Sequence, residues 1–597
     1  MASRTRACAF SLAGTIGSRT VLAHLPISDI AYLIGAGLVS AIIYIMSGNR
    51  QSAGLASTPF RATVLVAAVV VALYAPVTGY EFVAFDDDIV ITANPGLRGG
   101  LSFTSISWAL RTTYFGNWMP LTWFSHLLDV EFFGMDPRGH HLQSVLLHAL
   151  VSALCFIVLR RATGAFRRSL VVALIFAVHP LHVEAVAWVS ARRDLLSAVF
   201  WMLGLLAYLR YVAAPGAGRY WAVAATQALG LASKASLVTF PLALLVLDWW
   251  PLGRGCPRTA PHRPGVLPAS RLVMEKLPLL ALSAAFARGA FISQSRIGAI
   301  MPFSAYPLPT RLANALASCV GYLGDLAFPF GLSAYYIHPG SGMGLLSVAG
   351  AGLLLAALSV CCFLVVRRHP YLAAGWLWFL VTLLPVIGLV QLGNHARADR
   401  YVYIPLLGPL LGVVWVAGEQ WNQRRFSRWV LAVAAAATIL LFAAASRRQL
   451  ETWSDSRALF VHALQVDPGS WHAENNYGLV LYREGRYEEA IGHFRRALEQ
   501  RPTYVHAWNN LGAALQQLGR LDEAIAHYER GLRAGPNTAT ALYNFGLALA
   551  AKGLPGAAAE KYRAALKVDP DYRDAKAALD RLGPEDRRFR PPSGSNR

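Results

Sequence analysis

The chain has 597 residues, 55% of them hydrophobic and only 15% charged, with a mean hydropathy of +0.41. That balance excludes an ordinary soluble globular protein and makes a lipid bilayer the main solvent. The net charge of +21 comes without a basic run interleaved with aromatics, so nucleic acid is not an expected partner.

Crossing about 30 Å of hydrocarbon takes about 20 mostly apolar residues as a helix. Such stretches predict spans near 26–46, 61–79, 140–159, 169–188, 195–212, 219–232, 236–252, 275–293, 343–366, 371–391, 402–417 and 428–446. Residues 1–60 form an N-terminal segment: Arg4, Arg6 and Arg19 precede its apolar stretch, as in a signal-anchor or the flank of a true span. Residues 61–446 form the multi-span membrane domain, with a first external loop at 80–139. The stretch 308–338 is apolar but broken by Asp325, Pro329 and Pro339, and reads as re-entrant or interfacial.

Arginines cluster at Arg160, Arg161, Arg167 and Arg168, at Arg254, Arg258, Arg263 and Arg271, at Arg367 and Arg368, and at Arg424, Arg425 and Arg428. The positive-inside rule places those loops in the cytoplasm. Alternation then puts the first loop, the loop around His395 and the C-terminal region on the opposite face. The six cysteines are scattered without CxxC or Cys/His spacing, so no metal or disulfide role is expected of them.

The first external loop carries Asp86-Asp87-Asp88 a few residues after a span. Three adjacent carboxylates repel one another, which suits a general base or a divalent metal such as Mg or Mn; a solvated acidic turn is the plainer reading. His141 and His148 lie seven apart and share a helix face, where packing or hydrogen bonding is the expected role. His179, His182 and Glu184 follow in the segment closing the 169–188 span, with Arg192, Arg193 and Asp194 just after. Ionisable groups at membrane depth face a polar cavity or each other, or else snorkel to the interface. A third cluster, His395 to Tyr401, holds Arg397 and Arg400 around one acid, Asp399, which leaves a positive excess for an anion such as a phosphate or a lipid head group. No Gly-rich phosphate loop, nucleophile elbow or HExxH occurs, against an ATPase or a common hydrolase.

From Trp453 onward the composition turns polar. Pro468, Pro502, Pro536 and Pro570 recur every 34 residues, the tetratricopeptide (TPR) period, with Gly478, Gly512 and Gly546 and then Phe494, Tyr528 and Tyr562 in phase. Residues 447–585 are thus expected to be a TPR array, with a partial repeat at 453–468 and full repeats over about 469–570, ahead of a disordered tail at 586–597. Asn476, Asn510 and Asn544 recur on the first helices. They fit two roles: clamping an extended partner backbone on the concave face, or helix packing.

Taken together, "FDDD", "NWMPLTWFSHLLD", "GHHLQSVLLHAL", "HPLHVEAVAWVSARRDLLSAVFW", "LASKASLVTFPLALLVLDWW" and "ADRYVYIPLLG" resemble the transmembrane and tetratricopeptide-repeat O-mannosyltransferases and their bacterial relatives, over roughly residues 61–570. The resemblance implies an all-α chain: a polytopic membrane domain of the C-type glycosyltransferase (GT-C) fold followed by a soluble TPR solenoid. It further implies an inverting enzyme that takes a sugar from a polyprenyl-phosphate carrier at the extracytoplasmic face and passes it to a hydroxyl, of a protein in the case of O-mannosylation. On that analogy Asp86, with Asp87, is the acidic pair that deprotonates the acceptor, and Asp88 completes the run. His179, His182, Glu184 and Arg193 match the second family motif. Arg397, Asp399, Arg400 and Tyr401 match the third, the two arginines being assigned to the donor phosphate. Where relatives carry Ser-Lys-Glu, this chain has Ser233-Lys234-Ala235, which removes a carboxylate. An Ala- and Arg-rich, Lys-poor composition is that of a GC-rich bacterium, so the expected place is the inner membrane with the TPR array in the periplasm, recruiting an acceptor protein or partner. The competing reading is a non-catalytic membrane-anchored TPR scaffold for envelope or secretion assembly. Transport has less support, because no membrane half repeats internally.

Overall fold

The computed structural model describes residues 59–255, 266–422, 428–535 and 538–582. The span read at 26–46, Arg258, Arg263, Arg424, Arg425, Pro536 and the tail at 586–597 lie outside them.

The fold is all-α, with a two-stranded ribbon as its one sheet among the described residues. Among the described residues six helices are long and apolar enough to cross a membrane: Pro59–Gly79, Pro137–Thr163, Val189–Ala213, Ala269–Arg296, Leu345–Val365 and Arg428–Glu451. A bent pair, Phe166–Val178 with Pro180–Ala187, turned by 57°, has the composition of a broken span or a re-entrant loop. This is fewer than the hydropathy windows predict. The helix read at 169–188 stops at Val178, because Pro180 has no N–H to continue it and disfavours helical geometry at His179. The helices Ala217–Ser233, Phe240–Trp249, Pro370–Leu383 and Leu407–Asn422 are shorter than the roughly 20 residues of a typical span.

Close packing in this half relies on small residues where backbones meet. A Cβ on Gly375 or Gly408 would collide with the other's carbonyl oxygen, so these two glycines let Pro370–Leu383 and Leu407–Asn422 touch. One buried charge network is fully partnered: Lys276 Nζ donates to Asp248 Oδ2 at 2.7 Å and Arg254 Nη2 to Glu275 Oε2 at 2.8 Å, with the Tyr208 hydroxyl at the centre. Such a network rigidifies only because every member has a partner.

The first loop is not irregular, as it contains helices Phe103–Arg111 and Pro120–Phe133. The 308–338 stretch is a helix, Leu308–Ala327, followed by an extended return. In that return Tyr336–Ile337 pairs antiparallel with His395–Arg397. Asn314 Nδ2 donates to Ala396 O at 3.0 Å and Tyr322 Oη to Ala398 O at 3.1 Å, so this helix fixes the backbone of the third motif.

Beyond Arg428–Glu451 come the helix Ser456–Val466, three antiparallel pairs and a final helix, Arg573–Arg581. The pairs are Trp471–Arg483 with Tyr487–Gln500, Val505–Gln517 with Leu521–Ala534, and Ala539–Ala551 with Pro555–Val568. Their seam buries Ala490, Phe494, Ala524, Tyr528, Ala558 and Tyr562, the small and aromatic positions that recur in the sequence. A repeat of this kind cannot bury its apolar face alone; stacking supplies the core.

Candidate functional site

The three aspartates of the first loop have three different environments. Asp87 is fully buried; its Oδ2 accepts from Val83 N at 3.1 Å, and its Oδ1 from Ser190 N at 2.9 Å and Ser190 Oγ at 2.5 Å. Burial pushes it up to about 6, against those donors. These hydrogen bonds pin the loop to the start of the Val189–Ala213 span. Asp88 pairs with Arg483 of the TPR array at 2.8 Å. Asp86 is half-buried and accepts no hydrogen bond from the described residues. Burial pushes it up to about 7, while Arg193 and then Arg400 pull it down.

Arg193 forms no hydrogen bond or ion pair within the described residues, and its Nε is buried without an acceptor. Arg400 pairs with Glu184, whose Oε2 also accepts the Arg400 backbone N–H at 2.8 Å, and lies 5.1 Å over the Trp188 ring and 4.9 Å over that of Tyr401. The neighbouring carboxylate holds this guanidinium above its ordinary value despite burial. Lys234 pairs with Asp194 and sits 5.5 Å over Tyr401. Asp194, Lys234, Ser236, Arg400, Tyr401 and Tyr403 help line a cavity of about 40 Å³.

Other residues of the second and third motifs point elsewhere. Arg397 pairs with Asp325 and stacks 4.3 Å over Tyr336, whose hydroxyl donates to Asp399 at 2.8 Å. Arg397 and Asp399 thus hold the ribbon through these contacts. His179 Nε2 donates to Leu326 O at 3.1 Å, and His182 packs between Phe176 and Tyr403 at 4.3 and 4.4 Å. Both are buried packing groups where the span breaks. His148 accepts from the Tyr403 hydroxyl at 2.6 Å, the hydrogen-bonded role expected of it.

The TPR array forms one wall of the site. Ala84 N donates to Ser456 Oγ at 2.8 Å and Glu81 N to Ser454 O at 3.0 Å. Tyr335 stacks on His472 at 3.9 Å, and Phe85 meets Trp188 at 4.9 Å and His472 at 6.0 Å. The recurrent asparagines bond each other across repeats: Asn510 Nδ2 to Asn475 Oδ1 at 2.9 Å, and Asn544 Nδ2 to Asn509 Oδ1 at 3.2 Å. Asn476 bonds Asn475 and His472. These contacts favour the packing role over a partner clamp.

Sequence reasoning missed Ser190 and Lys234 as neighbours of the site, while Asp194 was read only as part of the second cluster. The available signal was the position of Asp194 directly after Arg193, complementary in charge to the lysine that follows Ser233.

The structure thus defines a polytopic helical membrane protein whose TPR solenoid closes over a loop-borne carboxylate. Comparison with known proteins makes this more particular: the chain carries tetratricopeptide repeats and is similar to the TMTC proteins. A Tetratricopeptide repeat model matches residues 469–535 and 504–571. The human Protein O-mannosyl-transferase TMTC1 is 27% identical over 498 residues, covering 75% of this chain and 56% of the relative. Protein O-mannosyl-transferase Tmtc2 of Drosophila melanogaster is 36% identical over 194 residues, 31% of this chain and 21% of the relative. The chain spans about half the length of TMTC1 and less of the others it matches. Among solved structures, the APC/C hetero-tetramer Cut9-Hcn1 aligns with 82% of this chain and 98% of that chain at 16% identity, but its TM-score of 0.23 carries no argument.

Proposed function

We propose that this protein is a membrane glycosyltransferase of the GT-C type that moves a sugar from a polyprenyl-phosphate carrier to a hydroxyl, of a protein acceptor, at the extracytoplasmic face. The observation that carries the reading is Asp86: a half-buried carboxylate free of hydrogen bonds, with the unpaired Arg193 guanidinium acting on it. In the reaction, Asp86 takes the proton of the acceptor hydroxyl as its oxygen bonds to the anomeric carbon. The bond from that carbon to the phosphate oxygen breaks, the electron pair leaves with the lipid phosphate, and attack opposite the leaving group inverts the centre. Charge develops on the departing phosphate, where Arg193, Arg400 and Lys234 are the nearby cations; fixed cations in a water-poor site stabilise it. Asp87 positions Asp86 by holding the loop to Ser190. O-mannosyl transfer, the activity in the relatives' names, is the first chemistry to try.

The TPR array is placed to bring an acceptor to the loop, since its first repeat touches Phe85 and Asp88. A bacterial inner membrane is the proposed setting, with loop and array in the periplasm. Purified protein incubated with labelled polyprenyl-phosphate mannose and a periplasmic extract should label an acceptor. Asp86→Asn should lower transfer by at least about a hundredfold. Transfer at the parental rate by both Asp86→Asn and Asp87→Asn would leave the scaffold reading.

A further inference from the structure

A separate polar cluster lies on the first external loop. His126 and Asp129, one helical turn apart on Pro120–Phe133, meet His140 from the first turn of Pro137–Thr163. All three are buried, at 1% exposure or less. His126 has no partner on either ring nitrogen, and His140 Nδ1 and Asp129 Oδ1 have none either. Leaving that many polar atoms dry and without a hydrogen bond is unfavourable, and a ligand among them removes that penalty.

We infer that His126, Asp129 and His140 form a structural zinc site. His140 Nε2 lies 3.1 Å from Gly134 O and must donate to it, so a neutral ring carries its lone pair on Nδ1. That nitrogen faces Asp129 Oδ2 at 3.2 Å, and His126 Nδ1 lies 3.9 Å from the same oxygen. Lone pairs aimed at one another repel unless a cation sits between them. An ion about 2.1 Å from each donor in tetrahedral geometry separates donors by about 3.4 Å, within the range seen. One ion would engage His126 Nδ1, His140 Nδ1 and one carboxylate oxygen of Asp129, atoms that all lie within 4.8 Å of one another, and so use both orphaned ring nitrogens. Two imidazoles and one carboxylate select zinc over magnesium or calcium. The Gly134 carbonyl is the outer partner that metal-bound imidazoles characteristically have. Arg192 reaches Asp129 Oδ2 at 2.7 Å but disperses its charge over Ser144 Oγ, Ser125 Oγ, Gln143 and His140 O, leaving Oδ1 open.

The ion ties the loop helix Pro120–Phe133 to the first turn of the span Pro137–Thr163 beside Arg192, adjacent to Arg193, so its role is to fix the wall that carries that guanidinium. The test is metal analysis of the full-length protein in detergent, equilibrated with Zn²⁺ and then dialysed. Near one zinc per chain is expected, and cobalt exchanged into the site should give the visible absorption of tetrahedral Co²⁺. His126→Ala and His140→Ala should lose the ion, while Asp86→Asn should keep it. A parent protein that retains no zinc overturns the site, which is then a doubly protonated His140 against Asp129. Zinc retained by His126→Ala, or lost in Asp86→Asn, overturns its location.

Discussion

Arg483, at the end of the first helix of the first full TPR pair, donates to Asp88 Oδ2 at 2.8 Å and so joins the solenoid to the loop that carries the candidate base. The pair is exposed, Arg483 by 53% and Asp88 by 36%. Solvent-exposed ion pairs contribute about 0–1 kcal/mol. A double-mutant cycle with Asp88→Asn and Arg483→Gln, read by thermal unfolding in detergent, should therefore give a coupling below about 1 kcal/mol. A larger coupling would mean that the junction depends on this pair and not on the Tyr335–His472 stack.

Asp86 and Asp87 should respond differently to the same substitution. Asp86→Asn removes a charge that burial disfavours, so expression and melting temperature should hold or rise while transfer collapses. Asp87→Asn sets an amide against donors from Val83 and Ser190, so it should lower stability by about 1–3 kcal/mol as well as activity. Equal melting temperatures for the two variants would show that Asp87 does not pin the loop.

The pH profile follows from the same carboxylate. Burial raises Asp86 from 3.8 to about 7 in the folded protein, so folding favours the protonated acid. Its contribution to stability is fully present below pH 3.8 and is lost as pH rises through about 7. A base must be ionised, so kcat/KM for transfer should climb with pH through an inflection near 7. An inflection near the ordinary carboxylate value would mean that Asp86 is solvated in the working enzyme.

Gly512 faces the ring of Tyr528, where a Cβ would stand 2.8 Å from two ring carbons. Gly512→Ala should destabilise the array by about 1–3 kcal/mol through overpacking. Asn510→Ala, which removes the bond to Asn475, should cost about 1 kcal/mol and speed amide exchange in Val505–Gln517 several-fold. Unchanged exchange with weakened partner capture would return these asparagines to a binding role.

The loop and the array touch, so reporter fusions at residue 447 and within 98–110 should report the same side, the extracytoplasmic one in the topology proposed from the arginine distribution. A cytoplasmic signal from either fusion sinks that topology.

Much of the architecture was legible because it depends on composition and period. An apolar window of about 20 residues has few alternatives to a spanning helix, and a 34-residue repeat of small and aromatic positions has few alternatives to a TPR solenoid. The break at Pro180 was visible as a proline, yet only packing shows that it turns the chain by 57° and sends His179 and His182 into the helix core. The acidic run was legible as a run. Its division into a free Asp86, a loop-pinning Asp87 and an array-binding Asp88 was not, because it depends on Ser190 and Arg483, 103 and 395 residues away in the chain. Likewise Arg193 and Arg397 look alike in sequence, and what separates them is whether folding supplies a carboxylate. Asp325 meets Arg397, while no described acid pairs with Arg193. Local pattern determines which segments are helical and apolar, since those preferences act over a few residues. Which charges remain unspent for chemistry is a property of long-range contacts, and only the tertiary structure decides it.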